Sequence, residues 1–371
     1  MTPSRRAVLA AAAGAALWPR APARAAAPGL RDIAAQRGLT YGTYIRAEML
    51  GSDRDYTDLV IREAGLIVCS CAHWRHLAPT PTTVDYSGVE TVYRWAVAHG
   101  MKYRGHALLW GEAAPAWFAE LPSRAAAERA LVEHVAGTCR HFAGRFQSWD
   151  VVNEAIKAGD GRPDRLRRNV FLDKIGPEYL DLAFNAARAA DPATRLVYND
   201  FDVEFDTPYQ REKRRAVLDL VDGFKKRGVP LDAVGIQSHI ATARMKDFDA
   251  RVLSDFLQAL SDRGLEIMLT ELDVVDRGAP SAIAARDEEV AACYRRYLDV
   301  ALANPAVSTV ISWGLTDRNS WITAGRDPET RRSDGLAPRP LAFDAECRKK
   351  PAYDAIAAAL AAAPRRRAPA G

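Results

Sequence analysis

Eight β-rich runs alternating with helical patterns predict an α/β protein, a single (β/α)8 TIM barrel. Polar and aromatic residues crowd the C-terminal ends of those runs, where barrel chemistry sits. No Gly-rich dinucleotide fingerprint follows the first run, which weakens the alternative of a doubly wound open sheet. At 371 residues, 48% hydrophobic and 26% charged, the chain can fill such a barrel as one domain. That composition excludes a disordered chain, a collagen and a disulfide-dense mini-domain. No apolar run reaches the roughly 20 residues of a membrane-spanning helix, so no membrane partner is expected.

Residues 1–27 read as a signal peptide. Ser4-Arg5-Arg6 opens a basic segment, an Ala-rich apolar run follows to Leu17, and Ala23-Arg24-Ala25 and Ala25-Ala26-Ala27 are small-x-small cleavage patterns. The paired arginines resemble a twin-arginine signal, with an ordinary Sec signal as the alternative. A periplasmic or secreted protein is expected. Arg5, Arg6, Arg20 and Arg24 fall in this stretch, which holds no acid. Without them 51 basic residues become 47, equal to the 47 acidic ones. The formal charge of +4 is therefore no sign of a nucleic-acid partner.

The barrel is expected over 28–360. Its strands are read at Thr40–Arg46, Leu66–Trp74, Lys102–Trp110, Ser148–Ala155, Arg195–Glu204, Ala233–Ile240, Glu266–Val274 and Val307–Asp317. Between them, Tyr179, Leu180, Ala183, Phe184 and Ala187 keep helical spacing until Asp191-Pro192. Leu253, Phe256, Leu257 and Leu260 do the same until Gly264. His99, His134 and His141 lie on helical stretches and take no role. Residues 361–371, with Arg365-Arg366-Arg367, read as a flexible basic tail. Five cysteines leave at least one thiol without an intrachain partner. Cys69 and Cys71 point the same way on a strand, lack a second pair at zinc spacing, and leave connectivity open. Most of the five read as small buried hydrophobes.

The polar strand ends are His106 and Trp110; Asn153-Glu154; Tyr198-Asn199-Asp200; Gln237-Ser238-His239; Thr270-Glu271-Leu272-Asp273; and Trp313, Asp317 and Trp321. Glu154 and Glu271 each end an apolar run, where an uncompensated carboxylate is costly to desolvate. Two glutamates facing across a barrel mouth suit glycosidic cleavage, one protonated for the leaving oxygen and one ionised for the anomeric carbon. Glu271 and Asp273, two apart, share a strand face.

These residues resemble glycoside hydrolase family 10, the β-1,4-xylanases. Trp149-Asp150-Val151-Val152-Asn153-Glu154-Ala155 and Thr270-Glu271-Leu272-Asp273 are similar to its two catalytic signatures. Arg104-Gly105-His106-Ala107-Leu108-Leu109-Trp110, Tyr198-Asn199-Asp200, Gly235-Ile236-Gln237-Ser238-His239 and Trp313-Gly314 follow in the family's order. The likeness spans roughly Gly38 to Ala357. It implies a retaining double displacement with Glu154 as general acid/base and Glu271 as nucleophile. Asn153 would bond the 2-hydroxyl of the cleaved sugar, and His239 would orient Glu271 with Gln237 and Asp273 behind it. Trp313 and Trp321 would wall the sugar site, and His106, Trp110 and Asn199 would also contact substrate. No cofactor or metal is implied. A monomer acting on a β-linked polysaccharide or oligosaccharide is expected.

The second strand departs from the family. A Glu-Asn-x-Met-Lys run normally precedes Trp74; here stand Cys69, Ser70, Cys71, Ala72 and His73. After Trp110, Gly111, Glu112 and Ala113 replace His-x-Gln, and Asp202 stands where Asn is common. The changes lie on the glycone side, away from the two glutamates. They leave open a weakened xylan cleft, or a cleft for another glycan with His73, Arg75, His76 and Glu112 as contacts. Transglycosylation and a non-catalytic carbohydrate-binding barrel are further alternatives, the last disfavoured because both carboxylates are present.

Overall fold

A computed structural model describes residues 27–325 and 328–366. The signal peptide expected over 1–27 lies, apart from Ala27, outside the described residues.

Eight strands form the barrel: β1 Thr40–Tyr44, β2 Leu66–Cys69, β3 Lys102–Gly105, β4 Ser148–Asn153, β5 Arg195–Asp200, β6 Ala233–Ile236, β7 Glu266–Val275 and β8 Val307–Ser312. Each pairs in parallel with the next, and β8 pairs with β1. The sheet therefore closes and has no edge, confirming the (β/α)8 TIM barrel. β2 and β6 are buried along their whole length, as parallel strands covered on both faces must be. Their Leu-Ile-Val-Cys and Ala-Val-Gly-Ile runs supply small and branched side chains for that position.

Glycine appears where the interior is tightest. A Cβ on Gly105 would lie 2.0 Å from the Trp149 ring, and one on Gly235 would lie 2.3 Å from Asn199 Oδ1. Both positions admit only hydrogen in place of a side chain.

The expected strand starts hold, but several ends come earlier than periodicity indicates. β2 stops at Cys69 rather than Trp74. The Cys69 sulfur accepts the Cys71 N–H, and the chain turns through a 3-10 segment, Ser70–Ala72, into the helix Trp74–Leu77. Cys69 and Cys71 are joined by a disulfide; Cys139 and Cys293 are buried free thiols. β3 stops at Gly105, and Leu109–Trp110 resumes pairing against β4. β6 stops at Ile236, and His239–Ala241 resumes against β7. Beyond β4, β5 and within the β6 run, Glu154, Asp202 and Ser238 take left-handed φ of 59°, 59° and 64°. Such residues end strand geometry and are uncommon unless the surroundings hold them.

The two helices read from spacing are present as Tyr179–Ala190 and Ala250–Asp262. Asp249 caps the second by accepting the Arg251 and Val252 N–H groups. The tail boundary at 361 is corrected. The last helix, Pro351–Ala362, runs past it, and the Arg366 side chain donates to the carbonyls of Val307, Leu302, Asn304 and Pro364. Residues 367–371 lie outside the described ones.

Candidate active site

The site lies at the C-terminal ends of the strands. Its floor is a buried charge chain. Asp150 accepts from Arg104, whose Nη1 also donates to Ser148 Oγ and Met268 Sδ, each at 3.0 Å. The other Asp150 oxygen is 2.8 Å from His106 Nδ1. Burial opposes protonation of His106, but the Asp150 hydrogen bond and the field of Glu271 outweigh it and raise its pKa. With Nδ1 occupied, Nε2 is the ring nitrogen His106 has left for a ligand. Its ring meets Trp313 edge-on at 5.5 Å.

Glu154 follows β4 in its left-handed turn, its N–H donating to the Asn199 carbonyl at 2.9 Å. Oε1 accepts from Asn153 Nδ2 at 3.2 Å and Gln237 Nε2 at 3.0 Å. Oε2 accepts from Trp110 Nε1 at 3.1 Å and lies 3.3 Å from Arg167 Nη1. Burial raises the Glu154 pKa. Arg167 and the Gln237 hydrogen bond work against it, Asp200 and Glu271 reinforce it, and the net direction is up.

Glu271 lies within β7 and is almost fully buried. Oε1 accepts from Asn199 Nδ2 at 2.8 Å, and Oε2 is 3.4 Å from His239 Nε2. His239 Nδ1 is 2.9 Å from Asp273 Oδ1, and Asp273 Oδ2 accepts from Trp321 Nε1 at 2.7 Å. Burial disfavours charge on His239, but Asp273 and Glu271 overcome it and hold its pKa well above the usual imidazole value. His239 thus sits between two carboxyl groups. The turn before it is fixed by Glu204, which accepts the Ser238 N–H at 3.1 Å, and by Tyr297, 2.7 Å from the Ser238 hydroxyl.

Three expectations are corrected. Asn199 does not face substrate. It is fully buried, donates to both Asn153 Oδ1 and Glu271 Oε1 at 2.8 Å, and accepts from Thr270 Oγ1 at 2.6 Å. Its amide is used up in holding the two signatures together. Gln237 does not stand behind His239; it reaches Asn153 and Glu154. His73 presents no ring nitrogen to a ligand. Both are buried without a partner, the ring packs at 5.3–5.6 Å from Trp110, His106 and His76, and burial pushes its pKa down to about 2.

Asn153, His239 and Asp273 stand beside the two glutamates. Trp110, Trp313 and Trp321 remain partly exposed around them. Asp317, also at a strand end, is turned away into a buried pair with Lys350 Nζ at 2.9 Å. Burial pushes its carboxyl up to about 6 against that pairing. Sequence reasoning missed Arg167, which sits in a loop without periodicity and reaches Glu154 only because residues 156 and 166 pair. Among the described residues no cluster of three metal-ligating side chains occurs. The arrangement offers one largely buried carboxyl whose pKa is raised and a second carboxyl facing a histidine.

Glycosyl hydrolase family 10 matches residues 29–359. Endo-1,4-beta-xylanase 1 of Humicola insolens is 32% identical over 355 residues, 94% of this chain and 77% of the relative. Endo-1,4-beta-xylanase B of Thermotoga neapolitana is 31% identical over 286 residues, 76% of each chain. Among solved structures, xylanase 10B of Thermotoga petrophila RKU-1 in complex with xylobiose superimposes with a TM-score of 0.80 at 26% identity, covering 91% of this chain and 98% of that one. Native xylanase 10B of Thermotoga maritima gives 0.79 at 27% identity, covering 90% and 98%.

Proposed function

The chain belongs to glycosyl hydrolase family 10, and from that premise we propose that it is an exported, retaining endo-β-1,4-xylanase working through Glu154 and Glu271. That it is a glycoside hydrolase of the xylanase kind follows from the family and its relatives. The reading of the two glutamates is supported by one observation above others: their surroundings differ in kind. Burial keeps Glu154 inclined to hold a proton, while Glu271 faces His239, whose pKa is raised, and the Asn199 amide.

In the first step Glu154 gives its proton to the glycosidic oxygen as the C–O bond breaks. The Glu271 carboxylate forms an ester to the anomeric carbon. In the second step Glu154, now a base, takes a proton from water. The hydroxide oxygen bonds to the anomeric carbon and the Glu271 carboxylate leaves, so the configuration is retained. His239, held by Asp273, balances the charge that returns to Glu271.

A second reading, the same machinery acting on another or a substituted β-glycan, is favoured by the β2 end. There the Cys69–Cys71 disulfide and the neutral His73 stand in place of polar and charged residues. One panel separates the two. Xylohexaose and other β-linked oligosaccharides are incubated with enzyme, with the Glu271→Ala variant as blank, and products are read by mass spectrometry. Cleavage of xylohexaose is the expected result, with the β-anomer appearing first when the products are followed by proton NMR. Turnover of another glycan alone would establish the second reading, and no turnover at all would overturn both. Export rests on Ser4-Arg5-Arg6 and the apolar run after it. N-terminal sequencing of protein recovered outside the cytoplasm should begin near Pro28; an intact Met1 would contradict it.

A further inference from the structure

We propose that Arg167 is a positioning cation for Glu154, that Glu112 shares it, and that this division sets the upper pH limit of the acid step. The proposal rests on the acid assignment of Glu154 given above. After Glu154 the chain loops out and returns. Ile156 pairs antiparallel with Leu166, the Lys157 N–H donates to the Arg165 carbonyl at 2.9 Å, and the Arg167 N–H donates to the Ala155 carbonyl at 2.7 Å. The return places one nitrogen, Arg167 Nη1, 3.3 Å from Glu154 Oε2 and 3.1 Å from Glu112 Oε1. The guanidinium carbon lies 5.4 Å from the centre of the Phe201 ring. The Arg167 side chain is 13% exposed and that of Glu112 is 65% exposed. Arg75 Nη1 ties the Glu112 backbone by donating to its carbonyl at 3.0 Å. The bridge thus spans the loops after β3 and β4, with one end buried and one end in solvent.

The other charged groups around Glu154 are already committed. From β5, Asp200 is held by Lys213 Nζ at 2.7 Å and by the Tyr198 hydroxyl. From β7, Glu271 is faced by His239, which Asp273 also holds. Asn153, Gln237 and Trp110 are neutral donors. Arg167 is the cation whose charge favours the ionised form of Glu154, while Asp200 and Glu271 disfavour it. Such a field acts strongly across a buried contact and weakly where water screens it. Glu112 draws the guanidinium away and adds a negative charge of its own. The sign follows. Loss of Arg167 raises the Glu154 pKa and moves the alkaline limb of kcat/KM up. Loss of the Glu112 charge lowers that pKa and moves the limb down.

The test measures kcat/KM against pH on xylohexaose for the wild type, Arg167→Met, Arg167→Lys and Glu112→Gln. The alkaline limb should rise by about one pH unit in Arg167→Met, return toward wild type in Arg167→Lys, and fall by less than that in Glu112→Gln. A limb that stays put in Arg167→Met, or that moves the same way in Arg167→Met and Glu112→Gln, overturns the proposal. The wild type is also run on an aryl xylobioside with a dinitrophenolate leaving group, which needs no acid help. Disappearance of the limb there shows that it reports Glu154. Its persistence overturns the acid assignment itself, a failure distinct from that of the sharing.

Discussion

The two sides of the barrel mouth are built on opposite principles. On the side formed by β4 to β7, the polar side chains are tied to one another. Asn199 alone bonds Asn153, Glu271 and Thr270, and His239, Asp273 and Trp321 form a continuous line behind Glu271. On the side formed by the β2 end, two cysteine sulfurs bond to each other and the His73 ring is buried with neither nitrogen satisfied. A saturated network holds reacting groups at fixed distances and removes the cost of reorganising them. An unsatisfied imidazole does the reverse, since each buried orphan nitrogen carries a desolvation penalty. The polar groups of the β4–β7 side are therefore held in place by one another, and those of the β2 side are not.

The largest effect should come from the networked side. Glu271→Ala should lower hydrolysis by on the order of 10⁴-fold or more, as loss of a nucleophile does elsewhere; a wild-type rate in purified variant would remove Glu271 from the mechanism. Next, Glu154→Ala should cost about 10²- to 10⁴-fold on xylo-oligosaccharides and far less on an activated aryl glycoside. Equal losses on the two substrates would contradict its acid role. Asn199→Ala strands Glu271 Oε1 and the Thr270 hydroxyl together and leaves Asn153 Oδ1 with only the 3.4 Å contact from Gln237 Nε2. A loss of about 1–3 kcal/mol in urea unfolding is expected, and an unchanged midpoint would show that the network is not holding the site. The smallest effect belongs to the other side. His73→Phe replaces a ring with two orphan nitrogens by an apolar ring, so stability should stay level or rise by about 1 kcal/mol. A marked loss would mean that the imidazole has a polar partner.

Strand starts and the helices Tyr179–Ala190 and Ala250–Asp262 were legible because burial imposes periodicity, and periodicity is a property of sequence. Glu154 and Glu271 were legible for a related reason: a carboxylate at the end of an apolar strand violates that pattern. Strand ends were less legible. Glu154, Asp202 and Ser238 leave strand geometry through left-handed φ values that no side-chain pattern announces. Partner identity was the least legible. Gln237 and Asp273 both looked like supports for His239, yet only Asp273 reaches it. Which neighbour an amide meets depends on how adjacent strands register, here Asn153 against Asn199 and Asn199 against Gly235.

What the sequence determined alone was therefore the alternation of eight strands and helices, the two acidic signatures and the departure at Cys69–His73. Tertiary structure decided the rest. It turned Asn199 from a substrate contact into the link between the two glutamates, sealed His73 away from the cleft, and carried Arg167 back to Glu154 across a loop. The reason is common to all three. Hydrophobic patterning acts locally and is written residue by residue, whereas a hydrogen bond or an ion pair between distant segments exists only once the closed barrel has brought its strand ends together.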